Sequence, residues 1–249
     1  MSIDIDIIIP SFRSKELASL CIRSFEKYKG DLDLRYIVVE NSDDESYKKD
    51  IMSLADNMKW IQNPTNLINS EANACAIEEA LPFVRTENVF ICHNDVAACR
   101  ENWLRFLVDK MKKDDLAAAG YVLDNARINA LHISGILVKT EIAKAVSMYP
   151  VYEGERQILD VGDSITQYCR EKGLEYFSCR NTHNDESHVE LCEDPYKELD
   201  YVDRAFDDDG NIIFLHLGRG TPKTLGSYWK SGRVTSDGWS NFVETKILS

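Results

Sequence analysis

The chain has 249 residues, 44% hydrophobic, 29% charged and 10% aromatic, with only 12 glycines and 6 prolines. That composition excludes disordered, collagen-like and low-complexity architectures and is enough for a real core, either in one large α/β domain or in a domain with an appendage. Acidic residues number 42 against 29 basic ones, and the formal charge of −13 argues against nucleic acid or anionic lipid as the main partner.

The first half alternates strand and helix signals. Ile3–Ile9 is a β-branched run that predicts a strand ending at Pro10, and Ser14–Tyr28 carries Leu17, Leu20, Cys21, Ser24, Phe25 and Tyr28 at helical spacing, with Ser14 as its cap. Leu34–Val39 predicts a second strand closed by Glu40-Asn41-Ser42-Asp43-Asp44; a helix over Asp44–Asp56 and a short strand over Lys59–Gln62 follow. Asn69–Phe83 reads as an alanine-rich helix, and Asn88–Cys92 as a buried strand running into His93-Asn94-Asp95. A helix over Asn102–Lys112 and a strand over Leu116–Val122 complete the run. Such a βαβα order with short connections predicts a mainly parallel sheet covered on both faces.

Beyond about Asp124 the rhythm changes. Leu131–Lys139 predicts a strand, Thr140–Ser147 a short helix and Ile158–Lys172 a longer one, before a polar, acidic stretch over Asn181–Asp209. Asn211–His216 predicts a last strand, followed by Gly218-Arg219-Gly220-Thr221 and a tail with Lys223, Lys230, Arg233 and Lys246. The expected anatomy is a single domain with a ligand-binding half, 1–124, and a second half, 125–249, that carries the acidic loop 181–209 and the basic tail. The seven cysteines show no CxxC pair, and Cys21, Cys75, Cys92 and Cys99 lie among apolar neighbours, so they read as free thiols. No apolar run approaches the roughly 18 residues that span a bilayer. The opening lacks a basic segment followed by an apolar one, so a cytoplasmic chain is expected, compatible with peripheral contact at the inner face of a membrane.

Open parallel sheets bind ligands beyond the carboxyl ends of their strands. Those ends carry Pro10-Ser11-Phe12-Arg13, Glu40-Asn41-Ser42-Asp43 and His93-Asn94-Asp95. The chain contains no GxGxxG after the first strand, no GxxxxGK[ST] and no GxSxG, which excludes the dinucleotide fingerprint, the P-loop and the nucleophile elbow. What remains is a polar crest bearing carboxylates. An acid after the second strand can accept hydrogen bonds from a ribose or base, and an Asp after the fourth can hold a divalent cation that neutralises a diphosphate.

Several segments together resemble the inverting family-2 glycosyltransferases of the GT-A fold, in particular bacterial rhamnosyltransferase-like enzymes of polysaccharide assembly. Ile7-Ile8-Ile9-Pro10-Ser11-Phe12-Arg13 with Leu17, Leu20 and Ser24 resembles their opening, and Val38–Ser46 their VDDGS-type segment. Asn63-Pro64-Thr65-Asn66 with Asn73 and Ala76 is similar to the N-x-G…N-x-G stretch. Val89–Asp95 with Asn102-Trp103-Leu104 resembles the NNDxxxxxxWL form of the DxD region, and Ile133–Val138 the SGAxLLxR strand. Asp160–Gly173 is similar to the helix opening on the ED motif, and His216–Thr221 to the late HxGxGS loop. Three positions depart from the pattern: His93 stands where the family carries Asp or Asn, Ile68 replaces a glycine, and Asp160-Val161-Gly162-Asp163 offers two acids with no preceding Glu.

The resemblance implies transfer of a sugar from a UDP-, dTDP- or GDP-sugar to a saccharide or lipid-linked saccharide, assisted by Mn2+ or Mg2+. Pro10, Ser11, Arg13, Glu40, Asn41, Asn66, Asn73, Asn94 and Arg219 would hold the donor, and Asp95 and His216 the cation. Asp163 is the preferred general base and Asp160 its rival; either acid could instead cap its helix. His93 could ligate the cation or pack beside the diphosphate. His183 and His188 flank Asn184-Asp185-Glu186 and could be read as a metal pair, but in so acidic a stretch a lid or solvated loop is the expectation. Trp229 and Trp239 could grip the acceptor or pack the tail on the domain. Two other readings remain: a nucleotidyltransferase on the same sheet, for which Arg13 and Lys15 are the only basic signature, and a non-catalytic binding module whose motifs have decayed.

Overall fold

A computed structural model describes residues 4–120, 123–124, 128–199, 202–218 and 236–249. Strand β1 (Ile5–Ser11) leads to α1 (Lys15–Tyr28), β2 (Leu34–Glu40), α2 (Lys48–Met52), β3 (Met58–Gln62) and α3 (Asn69–Ala80). Next come β4 (Asn88–Cys92), β5 (Val96–Ala98), α4 (Trp103–Asp114), β6 (Ala118–Gly120), β7 (Leu123–Asp124), β8 (Ala130–Leu131), β9 (Gly135–Lys139) and α5 (Thr140–Ala145). A hairpin of β10 (Val151–Glu153) and β11 (Arg156–Leu159) precedes α6 (Asp163–Lys172). The chain continues through β12 (Tyr176–Ser178), β13 (Asp203–Phe206), β14 (Ile212–His216) and α7 (Ser236–Phe242).

Seven strands form the central sheet in the order β12-β6-β9-β4-β1-β2-β3. Neighbours pair in parallel except β9, which runs antiparallel between β4 and β6. The second half of the chain therefore supplies β9 and β12 to the sheet that the first half builds. Ile7, Ile8, Ile9 and Ile37–Val39 are fully buried because helices cover both faces, and a strand buried on both faces reads as an unbroken apolar run. On one face α1 and α4 pack through Phe25, Trp103 and Leu107; on the other α3, α5 and α6 pack through Ala74, Ile77, Ile142 and Ile165. Phe25, Phe90, Trp103 and Phe214 form an aromatic cluster with successive ring centroids 4.4, 5.2 and 5.6 Å apart along Phe25–Trp103, Phe90–Trp103 and Trp103–Phe214. That cluster fastens a second, antiparallel sheet, β13-β14-β5, to the first. Its outer side buries Trp239, Phe242, Val243 and Ile247 against Leu17 and Leu20, so Trp239 packs the C-terminal segment on the domain, while Trp229 lies outside the described residues. No helix among the described residues is long and apolar enough to cross a membrane.

Several boundaries differ from the sequence reading. Pro10 does not stop β1, which pairs with β2 as far as Ser11↔Glu40. Ser11 O accepts from Asn41 N, so Pro10 turns its nitrogen toward β4, where pairing has ended at Ile8↔Ile91; a missing donor there breaks no ladder bond. Ser14 does not cap α1 with its side chain; its hydroxyl donates to Phe12 O at 2.7 Å. The helix expected over Ile158–Lys172 starts only at Asp163, because Ile158 and Leu159 belong to the β10–β11 hairpin. The strand expected over Leu131–Lys139 is broken at His132–Ser134, where Gly135 N bonds back to His132 O.

Asn181–Asp209, read as a lid or solvated loop, differs at its two ends, while between His183 and Glu198 most residues are exposed. Asn181, Thr182, Leu199, Val202, Arg204, Phe206 and Asp207 are buried there, and β13 pairs antiparallel with β14. Arg204 is the reason this acidic stretch packs: its guanidinium donates to Tyr196 O, Leu199 O and Val202 O. One buried cation thereby satisfies the carbonyls of a turn that carries no regular ladder of its own. All seven cysteines are free thiols, six of them buried and Cys75 half-buried.

Candidate active site

Because β1, β2 and β4 are parallel neighbours, Ser11, Glu40 and Cys92 end at the same edge of the sheet. β9 enters there from the opposite direction, with Gly135 beside Cys92, and this brings His132 to the edge. β5 begins immediately after Asp95, and β14 pairs with it at His216↔Val96. His216 lies two residues beyond Phe214 and so shares its face of the strand. Leu217 N completes the junction by donating to Asp95 O at 3.0 Å. Thus three sequence-distant segments meet at one edge.

At the junction His93, Asp95 and His216 present ligand atoms within 4.8 Å of one another. The His216 Nε2 is 3.4 Å from Asp95 Oδ1, and its Nδ1 is 3.2 Å from Asp203 Oδ2. His183 reaches the other Asp203 oxygen, 3.7 Å away. Burial by itself would lower the His216 pKa, but the Asp95 and Asp203 carboxylates outweigh it and hold the imidazole at about 9. For Asp203 burial pulls upward, yet hydrogen bonds from His183 and His216 keep it well below the usual carboxylate range. His93 behaves oppositely: burial pushes it down to about 4, partly offset by Asp95, with Asp160 also within electrostatic reach. Its Nε2 is buried and makes no hydrogen bond among the described residues. A neutral, buried imidazole nitrogen facing a carboxylate and a second imidazole is a donor set that fits a divalent cation.

The two candidate bases sit in different surroundings. Asp163, 1% exposed, opens α6, and its Oδ2 accepts from Asp160 N at 2.8 Å. Asp160 is half-buried, and its Oδ1 accepts from Gln157 Nε2 and Val161 N.

Glu40 is 0% exposed. Its Oε1 accepts from Arg13 N and Ser42 N, both at 3.0 Å, and its Oε2 from the Tyr47 hydroxyl. Ser11 Oγ lies 3.5 Å from the same hydroxyl. Glu40 therefore joins the loops after β1 and β2 into one unit. Asn41 does the same for the next strand: its side chain donates to Ala72 O and accepts from Asn63 Nδ2. Arg13 is exposed and paired with Asp43; Pro10 and Asn94 are buried, Asn66 exposed and Asn73 half-buried. Arg219 lies outside the described residues. His188 is bonded to Asn181 O and near Asp185, so it forms no pair with His183.

Sequence reasoning passed over Tyr47, His132, Asp203 and the placing of His183. The ring of His132 lies 5.9 Å from that of His93 and 6.1 Å from that of His216, and its Nδ1 meets Ser134 Oγ at 2.5 Å. Asp203 could have been found: Asp209-Gly210 between two apolar runs is a hairpin signal, and pairing across it sets Asp203 opposite His216.

No family model and no curated protein sequence matches the chain. Among solved structures it is similar to a mannosyltransferase, PcManGT from Pyrobaculum calidifontis in complex with GDP-Man and Mn2+. That likeness has a TM-score of 0.54 and 13% identity over 72% of this chain and 56% of the other. Looser likenesses are to S. aureus TarS 1-349, with TM-score 0.47, 17% identity and coverage of 60% of this chain and 50% of that one. A third is 4-diphosphocytidyl-2C-methyl-D-erythritol synthase from Anaerococcus prevotii, with TM-score 0.48, 14% identity and coverage of 71% and 88%. The chain spans 56% of the length of the mannosyltransferase and 50% of that of TarS 1-349. At these identities the likeness is one of fold, and the fold is GT-A.

Proposed function

We propose that the chain is a glycosyltransferase that moves a sugar from a nucleoside-diphosphate sugar to a hydroxyl of a saccharide or lipid-linked saccharide, with inversion at the anomeric carbon. The observation that carries this reading is the convergence of His93, Asp95 and His216 within 4.8 Å at the edge where Ser11 and Glu40 also end. Asp95 and His216 would hold a divalent cation, Mn2+ or Mg2+, which when bound supplies positive charge to a departing diphosphate. The nucleoside lies over the loops after β1 and β2. Since Glu40 is fully engaged by Arg13 N, Ser42 N and Tyr47, it shapes that floor, and Ser11 and Asn41 continue it.

A base on the acceptor side takes the hydroxyl proton as the oxygen attacks the anomeric carbon and the nucleoside diphosphate leaves. Of the two acids, Asp160 is the one with solvent access and the one in electrostatic reach of His93. We assign it the proton and give Asp163 the task of holding the turn. Polysaccharide assembly is the setting that suits an acceptor of this kind.

The reading is tested by the melting temperature of the full chain with UDP, GDP or dTDP, each with and without Mn2+. One diphosphate with Mn2+ is expected to raise it by roughly 5–10 °C at saturation. No shift with any diphosphate overturns the nucleotide reading. A larger shift with a nucleoside triphosphate, together with pyrophosphate release, would replace it by nucleotidyl transfer.

A further inference from the structure

The donor set of the cluster is unusual for a site that would work with Mg2+. Two of its three members are imidazoles, and only Asp95 offers oxygen. Mg2+ and Ca2+ are held by oxygen, whereas imidazole nitrogen favours Mn2+, Fe2+, Co2+ and Zn2+ in rising order toward the later ions. His93 stands directly after β4, and its Nε2 is buried without a hydrogen bond among the described residues. A buried polar atom left so is destabilising, and a bond to a cation would offset that cost.

The His216 ring is held from behind. Asp203 Oδ2 lies 3.2 Å from its Nδ1, which aims Nε2 at Asp95, 3.4 Å away. Asp203 is itself braced by His183 at 3.7 Å. A carboxylate on the far nitrogen of an imidazole fixes the ring's orientation and raises its strength as a ligand. The strand pairing Asp203↔His216 sets this geometry in the backbone.

We infer that this cluster selects a transition-metal ion over Mg2+, with His93 as the third ligand and Asp203 as a positioning residue for His216. The inference rests on the proposed cation site but not on sugar transfer. The test uses the untagged full chain stripped of metal and titrated with Co2+, read by its visible absorption bands, without any nucleotide. Mg2+ is then added in about 100-fold excess. The expected results are stoichiometric Co2+ binding that Mg2+ does not displace, and Mn2+ binding weaker than Co2+ but tighter than Mg2+.

His93→Asp is expected to weaken Co2+ at least about tenfold and to narrow the preference over Mg2+, with His93→Gln as the second variant if the first fails to fold. Asp203→Asn is expected to cost roughly 10- to 100-fold in Co2+ affinity and to shift the absorption bands, which a residue that only stabilised the fold would not do. Displacement of Co2+ by Mg2+ at comparable concentration, or an unchanged Co2+/Mg2+ ratio in the His93 variant, overturns the inference. Failure to bind any metal overturns the cation site as well. Tight Co2+ binding without turnover of any sugar nucleotide removes the transferase reading and leaves this one standing.

Discussion

Asp160 and Asp163 illustrate how two like residues, one turn apart, receive different tasks from their surroundings. Asp163 at the first turn of α6 accepts the Asp160 amide, which satisfies a donor that the turn would otherwise leave open and complements the helix dipole. Asp160 keeps access to solvent. Asp160→Asn is therefore expected to lower turnover by about 10²-fold or more, the usual worth of a general base, while nucleoside diphosphate still raises the melting temperature. Asp163→Asn should do the reverse, costing about 1 kcal/mol of stability through the weakened hydrogen bond to the Asp160 amide and affecting turnover less. Thermal melts and single-turnover rates on both variants check this; equal rate losses would dissolve the distinction. Glu40 supports a parallel expectation. Glu40→Ala leaves the amides of Arg13 and Ser42 without their acceptor, at about 1–3 kcal/mol for such a buried loss, and should raise the KM for donor more than it lowers kcat.

The element that places both acids is the turn between β11 and α6. Gly162 sits at φ +77°, and a Cβ there would lie 2.6 Å from Ile133 Cδ1. The turn thus rests directly on the segment that carries His132, and the close approach is what brings Asp160 toward His93. Gly162→Ala meets two penalties, about 1–2 kcal/mol for a left-handed residue and about 1–3 kcal/mol for overpacking. We expect it to destabilise the chain by about 2 kcal/mol or more and to depress turnover. Gly162→Ala combined with Ile133→Val should recover part of the stability by relieving the contact. If the pair shows only additive losses in the melt, the close approach is not the cause. The hairpin itself escaped sequence reading because Val151–Glu153 and Arg156–Leu159 are too short to show a period of two.

Across the whole molecule the site edge and the opposite edge of the sheet are built by different means. At the amino ends of the strands Asp6 is fully buried and pairs with Arg35 from β2. It also accepts from Arg85 N, Thr86 N and Thr86 Oγ1, and Arg35 donates to Phe83 O. One carboxylate thereby locks β1 to β2 and to the entry into β4, which sets the strand order that the site depends on. Burial would raise the Asp6 pKa, but Arg35 and the two amides outweigh it and hold it below 3.8. A depressed carboxyl contributes stability that is present above the unfolded value and is lost as pH falls through the lower folded one. Asp6→Asn is thus expected to cost about 3 kcal/mol at neutral pH, a gap that closes below about pH 4. Urea melts of both proteins from pH 7 to pH 3 measure it; a gap constant with pH would contradict the account.

The alternating order of strands and helices, the buried faces of β1, β2 and β4, and the edge at which His93-Asn94-Asp95 emerges were all legible in the chain. Each rests on local patterning, where apolar period and turn chemistry act over a few residues. That order implied a mainly parallel sheet covered on both faces, and the GT-A fold was what the motif resemblance implied. The pairing of His216 with Asp95 was already implied by the resemblance; what needed the tertiary structure was Asp203 behind His216, His132 beside His93, and Asp160 turned outward while Asp163 turned in. The acidic stretch over 181–209 makes the same point. Its charges read as a solvated loop, and only the contact of Arg204 with the carbonyls of Tyr196, Leu199 and Val202 shows how its carboxy-terminal part is anchored. Patterning reports how a segment satisfies its own backbone; which distant partner completes a site is decided by pairing and packing that no single segment encodes.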